Sequence, residues 1–357
     1  MEEAGSTGDV NIVALFDRCE GYDETNGDWT DTRLYYVTKD NDTETINSQL
    51  VAEYGELNTG DPQVLVDFVL DSMERWPARH YALSLWDHGA AYYGVCFDDT
   101  SDGDRIEMLE LEWALADIHN ASGRTIDVIG FDACLMAEMA VFYEIYQHTD
   151  FIVASETTEA GDGWPYELVC GDLVADPFMA PEMLARTIAQ RYVEDYGADI
   201  LVTQAAWNNS RLEAVFNLTD VLAQLMMDRL EDWLLLEKVP VWDARENTES
   251  ADPPRVTPYM PDVLGYPMYD LWDFCYELKT RVALDTEVVN ACTELQAAMD
   301  YARIWEGHSM EKRDFHGVTV YFPDDSSGAY GYDERFEQTS YAEDHLWDDF
   351  LRAYNEE

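Results

Sequence analysis

The chain has 357 residues, of which 47% are hydrophobic, and this length and composition predict a globular protein with a substantial core. Its 74 acidic and 21 basic residues give a formal net charge of −53, which excludes a general binder of nucleic acid or of an anionic membrane surface. No apolar run approaches the roughly 20 residues that a membrane-spanning helix needs, so the sequence predicts a soluble protein.

Residues 1–6 have the pattern of the last turn of a helix, with a glycine cap at Gly5. We therefore expect the native protein to begin upstream. Met1 is not followed by the basic and apolar stretches of a signal peptide. Secretion through a signal that is missing here stays open, and the compartment is unknown.

The first two thirds of the chain alternate strand and helix patterns, which is typical of a mostly parallel sheet flanked by helices. Asp61 and Pro62 have the pattern of a helix N-cap and first turn, and a second helix is predicted for Pro181–Tyr196. The predicted fold class is therefore α/β. The predicted strands cover residues 10–16, 33–37, 80–86, 125–131, 151–154 and 199–205.

Six prolines between Pro240 and Pro267, without a convincing periodicity, predict a long irregular connection. Helices over 270–282 and 286–304, a strand over 317–322 and a helix from about Glu343 are predicted to follow. We expect three parts in the chain. They are a main domain over 1–238, a proline-rich connection over 239–269 and a smaller α+β subdomain over 270–357.

Two of the predicted strands end in reactive residues. The first leads into Asp87-His88-Gly89, and the strand over 125–131 leads into Asp132-Ala133-Cys134. The carboxyl ends of parallel strands meet at one edge of a sheet, so His88 and Cys134 are predicted to lie close together. A helix is predicted to follow Cys134 directly, because apolar residues with helical spacing begin at Leu135.

This arrangement favours nucleophilic catalysis by a cysteine. A helix N-terminus and a nearby imidazole both lower the pKa of a thiol, and the thiolate is the attacking species. The N–H groups of Gly89 and Cys134 are candidates for an oxyanion hole. Spacing alone leaves two other interpretations open, since Cys134 could be an inert buried thiol and His88 an ordinary polar residue. The remaining cysteines are too scattered for a disulfide framework and contain no C-x-x-C pair, so no metal site is predicted.

Three segments, over 85–89, 129–137 and 154–166, resemble the clostripain family of cysteine peptidases in the caspase-like clan. Residues 317–323 and 347–351 also resemble that family. The resemblance implies a caspase-like fold in which His88 is the catalytic histidine and Cys134 the nucleophile. It implies that Asp132 and Asp162 line the S1 pocket and select peptide or protein substrates with a P1 Arg or Lys. It also implies that an N-terminal strand and most of a helix are missing here, and no cofactor is expected.

Family members often mature by cutting themselves between the histidine and cysteine motifs. Arg105 is the only basic residue between Gly89 and Gly123, so the sequence predicts cleavage after Arg105. The acidic loop over 98–104 just before it could bind calcium, as some family members need that ion. It is a poor EF-hand, because Thr100 and Leu109 occupy ligand positions, and a solvated loop is the simpler interpretation.

Two alternatives to an Arg/Lys-specific peptidase stay open: a catalytically silent domain that binds basic peptides, and a peptidase with another P1 choice. The basic residues include only four lysines. An acidic surface with little lysine is typical of proteins in concentrated salt, where the Debye length falls to roughly 3 Å and self-repulsion is screened. The composition therefore predicts a halophilic host, an archaeon.

Overall fold

The computed structural model describes residues 1–197, 200–234, 239–251, 267–310, 314–323 and 333–355. The strands are β1 (Val13–Phe16), β2 (Thr32–Tyr36), β3 (Gln49–Gly55), β4 (Ala82–Trp86), β5 (Val95–Asp98), β6 (Asp104–Ile106), β7 (Ile126–Asp132), β8 (Thr149–Ala154), β9 (Thr203–Asn208), β10 (Met268–Asp270), β11 (Arg303–His308) and β12 (Thr319–Tyr321). The helices are α1 (Pro62–Arg75), α2 (Met108–Ser122), α3 (Met139–Ile145), α4 (Tyr166–Ala175), α5 (Pro181–Tyr196), α6 (Leu212–Leu234), α7 (Val239–Asn247), α8 (Leu271–Arg281), α9 (Thr286–Ala302), α10 (Ser340–Asp344) and α11 (Trp347–Asn355).

A five-stranded sheet in the order β11-β9-β8-β7-β4 forms the centre of the fold. Strands β4, β7 and β8 are parallel, and β9 runs against both β8 and β11, so four of the five strands point the same way. Six of the seven residues of β7 are buried, as expected for a strand that is covered on both faces. The predicted α/β class with a mostly parallel, helix-flanked sheet is confirmed.

The first two predicted strands were assigned to the wrong sheet. Strands β1 and β2 pair antiparallel and, with β3, form a separate three-stranded sheet. No residue of β1 is fully buried, whereas the interior strands of the central sheet are almost wholly buried. Its apolar run therefore packs on one side only, which suits an antiparallel sheet with a solvated face.

Helix α1 begins as predicted. The Asp61 side chain accepts a hydrogen bond from the Gln63 N–H at 2.8 Å, and Pro62 occupies the first helical position. Such a cap contributes about 1 kcal/mol to the free energy of unfolding. The buried face of α1 packs against α2, which also contacts α3. No helix among the described residues is long and apolar enough to cross a bilayer.

The C-terminal region departs from the prediction in two places. The predicted helix over 286–304 ends at Ala302, and Arg303–His308 forms the edge strand β11, paired with β9. Within the predicted connection, Val239–Asn247 is helical, and residues 252–266 lie outside the described part of the chain. One hydrophobic core extends from α1 to α11 across the predicted boundary at residue 238. The division into subdomains stays a proposal.

Candidate active site

The pairing of β4 with β7 determines where His88 and Cys134 lie. The two strands are parallel, and Trp86 is the partner of Asp132 in their register. His88 and Cys134 each follow two residues later, at the same edge of the sheet. The backbone of Gly89 is in contact with that of Cys134. A Cβ atom added to Gly89 would lie only 2.4 Å from the Cys134 carbonyl oxygen. Only glycine allows that approach.

Both strands turn sharply where they leave the sheet. Asp87, directly before His88, has a φ of 126°, and Leu135, directly after Cys134, has a φ of 66°. Non-glycine residues seldom adopt such angles, and strain of this kind is concentrated at functional sites. The turns direct His88 and Cys134 away from the strands that carry them.

The predicted helix directly after Cys134 is wrong. Helix α3 begins at Met139, with the Glu138 side chain as its N-cap. The Leu135 and Ala137 N–H groups instead donate to the carbonyl groups of Thr157 and Ser155, at 2.9 and 2.8 Å. The apolar spacing that suggested a helix reflects a fully buried turn. Because the helix starts further on, its N-terminus does not lower the pKa of the thiol.

The surroundings of Cys134 favour the neutral thiol. Burial, with smaller contributions from the carboxyl groups of Glu159 and Asp132, raises the pKa of Cys134 to about 11. The opposing effect is a hydrogen bond of 3.2 Å that the Glu159 backbone N–H donates to Sγ. The thiol therefore needs a base to remove its proton when it reacts.

His88 is half-buried and supplies the nearest candidate for that base. Its ring meets the edge of Phe97, with centroids 6.3 Å apart. Among the described residues no hydrogen bond joins the His88 ring to the Cys134 sulfur, although both lie at the same sheet edge. The Asp87 carboxyl lies beside His88, and burial raises the pKa of Asp87 to about 6. Catalytic hydrogen bonds are often loose in free enzymes, so this geometry suits a resting dyad.

Asp132 is the buried member of the predicted S1 pair. Its Oδ2 accepts hydrogen bonds from the Trp164 N–H at 2.9 Å and from the Tyr166 hydroxyl at 2.8 Å. A Cβ atom on Gly163 would lie 2.8 Å from that oxygen and 2.9 Å from the Trp86 indole nitrogen. Because Gly163 has no side chain, a gap remains between the Asp132 carboxylate and the exposed Trp86 ring. Burial raises the pKa of Asp132 above its usual value.

Asp162 precedes Gly163 in the loop that folds over Asp132. Its side chain is exposed, in contrast to Asp132, which is 3% exposed. Tyr196 holds the loop in place by donating a hydrogen bond of 2.8 Å to the Gly163 carbonyl. The two predicted S1 acids thus belong to one local structure but differ in their contact with solvent.

Sequence reasoning missed Glu159, which contacts both Cys134 and Asp132. Its backbone bonds to Cys134, and its carboxyl oxygens accept hydrogen bonds from Gln204 at 2.7 Å and from the Trp164 indole at 2.8 Å. Glu159 lies within the 154–166 motif, but it resembles any of the chain's many acids. Its motif position was the only available signal.

Arg105 lies in β6, which pairs with β5 in a hairpin. Its guanidinium stacks 3.7 Å from the centre of the Tyr93 ring and donates hydrogen bonds of 2.9 Å to the Tyr93 carbonyl and to Glu107. It is also 5.8 Å from the centre of the Phe97 ring, whose edge meets His88. The hairpin is thus adjacent to the dyad, while the Arg105 side chain is already engaged.

The acidic loop over 98–104 forms a turn, and it does not arrange its carboxylates around a common centre as a calcium site would. Asp98 Oδ1 accepts hydrogen bonds from the N–H groups of Thr100 and Ser101 at 2.8 and 3.0 Å. The nearest cluster of carboxylates within the described residues joins Asp98 to Asp17 and Glu56, with oxygens within 4.8 Å of one another. Calcium takes six to eight oxygen ligands, so three carboxylates would supply only part of a site. Calcium binding stays a prediction of the sequence.

Comparisons with known proteins show the family to which this chain belongs. A model of the clostripain family matches residues 1–354. Clostripain from Hathewaya histolytica is 27% identical over 184 residues, which are 45% of this chain and 35% of clostripain. The chain therefore matches about a third of the length of that curated relative.

Solved structures show the same fold. An inactive zymogen C11 protease from Parabacteroides distasonis has a TM-score of 0.67 and 19% identity, covering 96% of this chain and 89% of its own. A secreted C11 cysteine protease from Bacteroides thetaiotaomicron, in complex with an irreversible peptide inhibitor, has a TM-score of 0.63 and 19% identity, covering 97% and 89%. With a family model that extends over nearly every residue, the chain belongs to the clostripain family.

Proposed function

We propose that this chain is a cysteine endopeptidase that cleaves after Arg or Lys, with Cys134 as nucleophile and His88 as general base. The observation that carries the proposal is the register of β4 and β7, which brings the two motifs to one sheet edge with Gly89 against the Cys134 backbone. Membership of the clostripain family supports the same chemistry. The caspase-like relationship remains part of this proposal.

The reaction is acyl transfer in two steps. His88 removes the thiol proton as Cys134 Sγ attacks the carbonyl carbon after P1, and the N–H groups of Gly89 and Cys134 hold the oxyanion. Protonated His88 then donates its proton to the leaving amine. In the second step His88 activates a water, which hydrolyses the thioester and restores the thiol.

The S1 site has a second effect on this reaction. Asp132 and Glu159 are among the groups that raise the pKa of Cys134. A guanidinium or ammonium group at P1 would offset their negative charge and so favour the thiolate. A substrate with a basic P1 side chain therefore both fills the pocket and assists the nucleophile.

A catalytically silent domain that binds basic peptides is the alternative. Hydrolysis of an Arg-amide peptide in concentrated salt, blocked by iodoacetamide, distinguishes the two functions. Binding without turnover would favour the silent domain. Parallel assays with Arg, Lys, Asn and Asp at P1 establish the specificity.

Self-processing after Arg105 is the next part of the proposal. Purified protein is expected to convert to fragments of 1–105 and 106–357, and an active Arg105→Ala variant is expected to stay intact. Intact mass measurement over time checks this result. Arg124→Ala is the matched control, because Arg124 is the next basic residue along the chain and should leave the fragments unchanged. Identical fragments from Arg105→Ala and wild type would contradict the proposal.

We also propose that the fold needs concentrated salt, because a net charge of −53 repels itself in dilute buffer. The Tm measured by circular dichroism should rise as KCl is raised from about 0.1 M, where the Debye length is about 10 Å, to several molar. Choline chloride serves as a second screening salt. A Tm and an activity that are already maximal in dilute buffer would argue against a halophilic origin.

A further inference from the structure

Glu159 and Asp132 form a pair of carboxyl groups in side-chain contact at the predicted S1 site. Two carboxyl groups at hydrogen-bonding distance must share one proton, because two carboxylates offer only acceptors. Each group also accepts two other hydrogen bonds, Asp132 from Trp164 and Tyr166, and Glu159 from Gln204 and Trp164. Asp132 raises the pKa of Glu159, whereas the contact with Glu159 lowers the pKa of Asp132, so we assign the shared proton to Glu159.

The position of Glu159 is fixed by the surrounding structure. Gln204 and the Trp164 indole each donate to one of its carboxyl oxygens, and its backbone N–H donates to Cys134 Sγ. The Tyr192 hydroxyl accepts from the Ala160 N–H in the same loop. Two hydrogen bonds to the carboxyl group and two that hold the backbone of the loop keep the Glu159 side chain beside Asp132.

The titratable groups that face this pair are one thiol and three tyrosines. They come from the turn after β7, from α4 and from α5. They are Cys134, Tyr166, Tyr192 and Tyr196. No basic side chain is a principal influence on Asp132 or Glu159 in the described structure. The positive charge for a fully ionised pair must therefore come from the substrate.

We propose that Glu159 is a specificity-determining residue of the S1 site, which donates a proton to Asp132 while the site is empty and releases it to solvent when a cationic P1 side chain binds. The inference rests on the proposed Arg/Lys specificity. It adds a third acid to the pocket and makes recognition of P1 depend on pH.

The direction of this dependence follows from proton linkage. Burial raises the pKa of the Glu159 carboxyl well above its usual value, and Asp132 raises it further. A P1 cation prefers the fully ionised pair, so its binding strengthens as pH rises towards the pKa of the pair and levels off above it. One linked proton changes binding by at most about tenfold per pH unit.

The test compares peptides with arginine and citrulline at P1, because citrulline has a similar shape but no charge. Both peptides react with the same His88 and Cys134. The pH dependence that these two groups impose on kcat/KM is therefore removed when the ratio of the two values is taken. In wild type this ratio should go on rising above the range in which an ordinary carboxyl group titrates, about pH 4 to 5. In Glu159→Gln the ratio should be flat, because an amide can donate to Asp132 but cannot release a proton.

Glu144→Gln is the matched control. Glu144 is 3% exposed and accepts a hydrogen bond from the Ser340 N–H on another part of the fold. In Glu144→Gln the ratio of kcat/KM for arginine over citrulline should rise with pH as it does in wild type. The Tm establishes that Glu159→Gln is folded. Iodoacetamide should modify its Cys134 at least as fast as in wild type, because the Glu159 carboxyl raises the pKa of Cys134.

The outcomes separate this inference from the function that it extends. If wild type hydrolyses neither peptide, the proposed function fails. If wild type cleaves the arginine peptide and Glu159→Gln keeps its pH slope, Glu159 is not the linked proton donor and only this inference is overturned. If folded Glu159→Gln loses activity on both peptides equally, Glu159 is not a specificity residue, and the inference is again overturned.

Discussion

Replacing Cys134 with alanine is expected to lower kcat/KM for an Arg-P1 peptide by about 10⁴-fold to 10⁶-fold, the range seen when a catalytic nucleophile is removed. Alanine removes the sulfur that forms the thioester, and Cys134 Sγ makes only one hydrogen bond, from the Glu159 N–H. The fold should therefore survive the change. The assay is hydrolysis in concentrated salt, with Tm measured in parallel.

Two further variants test whether Cys134 acts with His88. His88→Ala should cause a loss of similar size, and the double variant should be no worse than either single variant, because residues that act as a unit are not additive. Cys170→Ala is the matched control, since Cys170 is a partly buried thiol on α4 outside the motifs. Full activity in Cys134→Ala, or additive losses in the double variant, would contradict a dyad.

The meeting of His88 and Cys134 could be predicted from the sequence because it depends on local patterns and one general rule. Each residue follows an apolar strand, and parallel strands end at the same edge of a sheet. Helix α1 was predictable for a similar reason, since Asp61 and Pro62 determine its start within a few residues. Such features need no information about distant parts of the chain.

The errors arise where distant contacts override a local pattern. Leu135 and its neighbours have helical spacing, but their N–H groups bond to residues 155 and 157, so the helix starts later. The predicted helix over 286–304 extends into residues 303 and 304, but pairing with β9 makes residues 303–308 a strand. The raised pKa of Cys134 depends on burial and on Glu159, which is 25 residues away in sequence. Local propensity is a weak guide where tertiary contacts decide.

The same limit applies to the S1 acids. The sequence treats Asp132 and Asp162 alike, as two acids in matching motifs. The structure separates them, because Asp132 is 3% exposed and accepts two hydrogen bonds, whereas Asp162 faces solvent. A charge is worth more to a ligand where water is excluded. The two residues should therefore contribute unequally to P1 recognition.

Asp132→Asn should lower the ratio of kcat/KM for arginine over citrulline at P1 by about 10²-fold to 10⁴-fold, because breaking a buried charge pair costs about 3–5 kcal/mol. The asparagine oxygen can still accept from Trp164 and Tyr166, so the loop should keep its place. Asp162→Asn should lower the ratio by no more than about fivefold, since exposed ion pairs are weak and are screened further by salt. The measurement is steady-state hydrolysis of both peptides by each variant.

The comparison is sharp because each variant removes one charge and changes almost no volume. Alkylation of Cys134 by iodoacetamide shows that the nucleophile is accessible in both, and Asp132→Asn should react at least as fast as wild type, because Asp132 raises the pKa of Cys134. A larger effect for Asp162→Asn than for Asp132→Asn would mean that the P1 cation binds at the solvent-facing side of the loop. In that case Asp132 would serve to hold the loop through its contacts with Trp164, Tyr166 and Gly163. The pocket for Arg or Lys would then lie elsewhere.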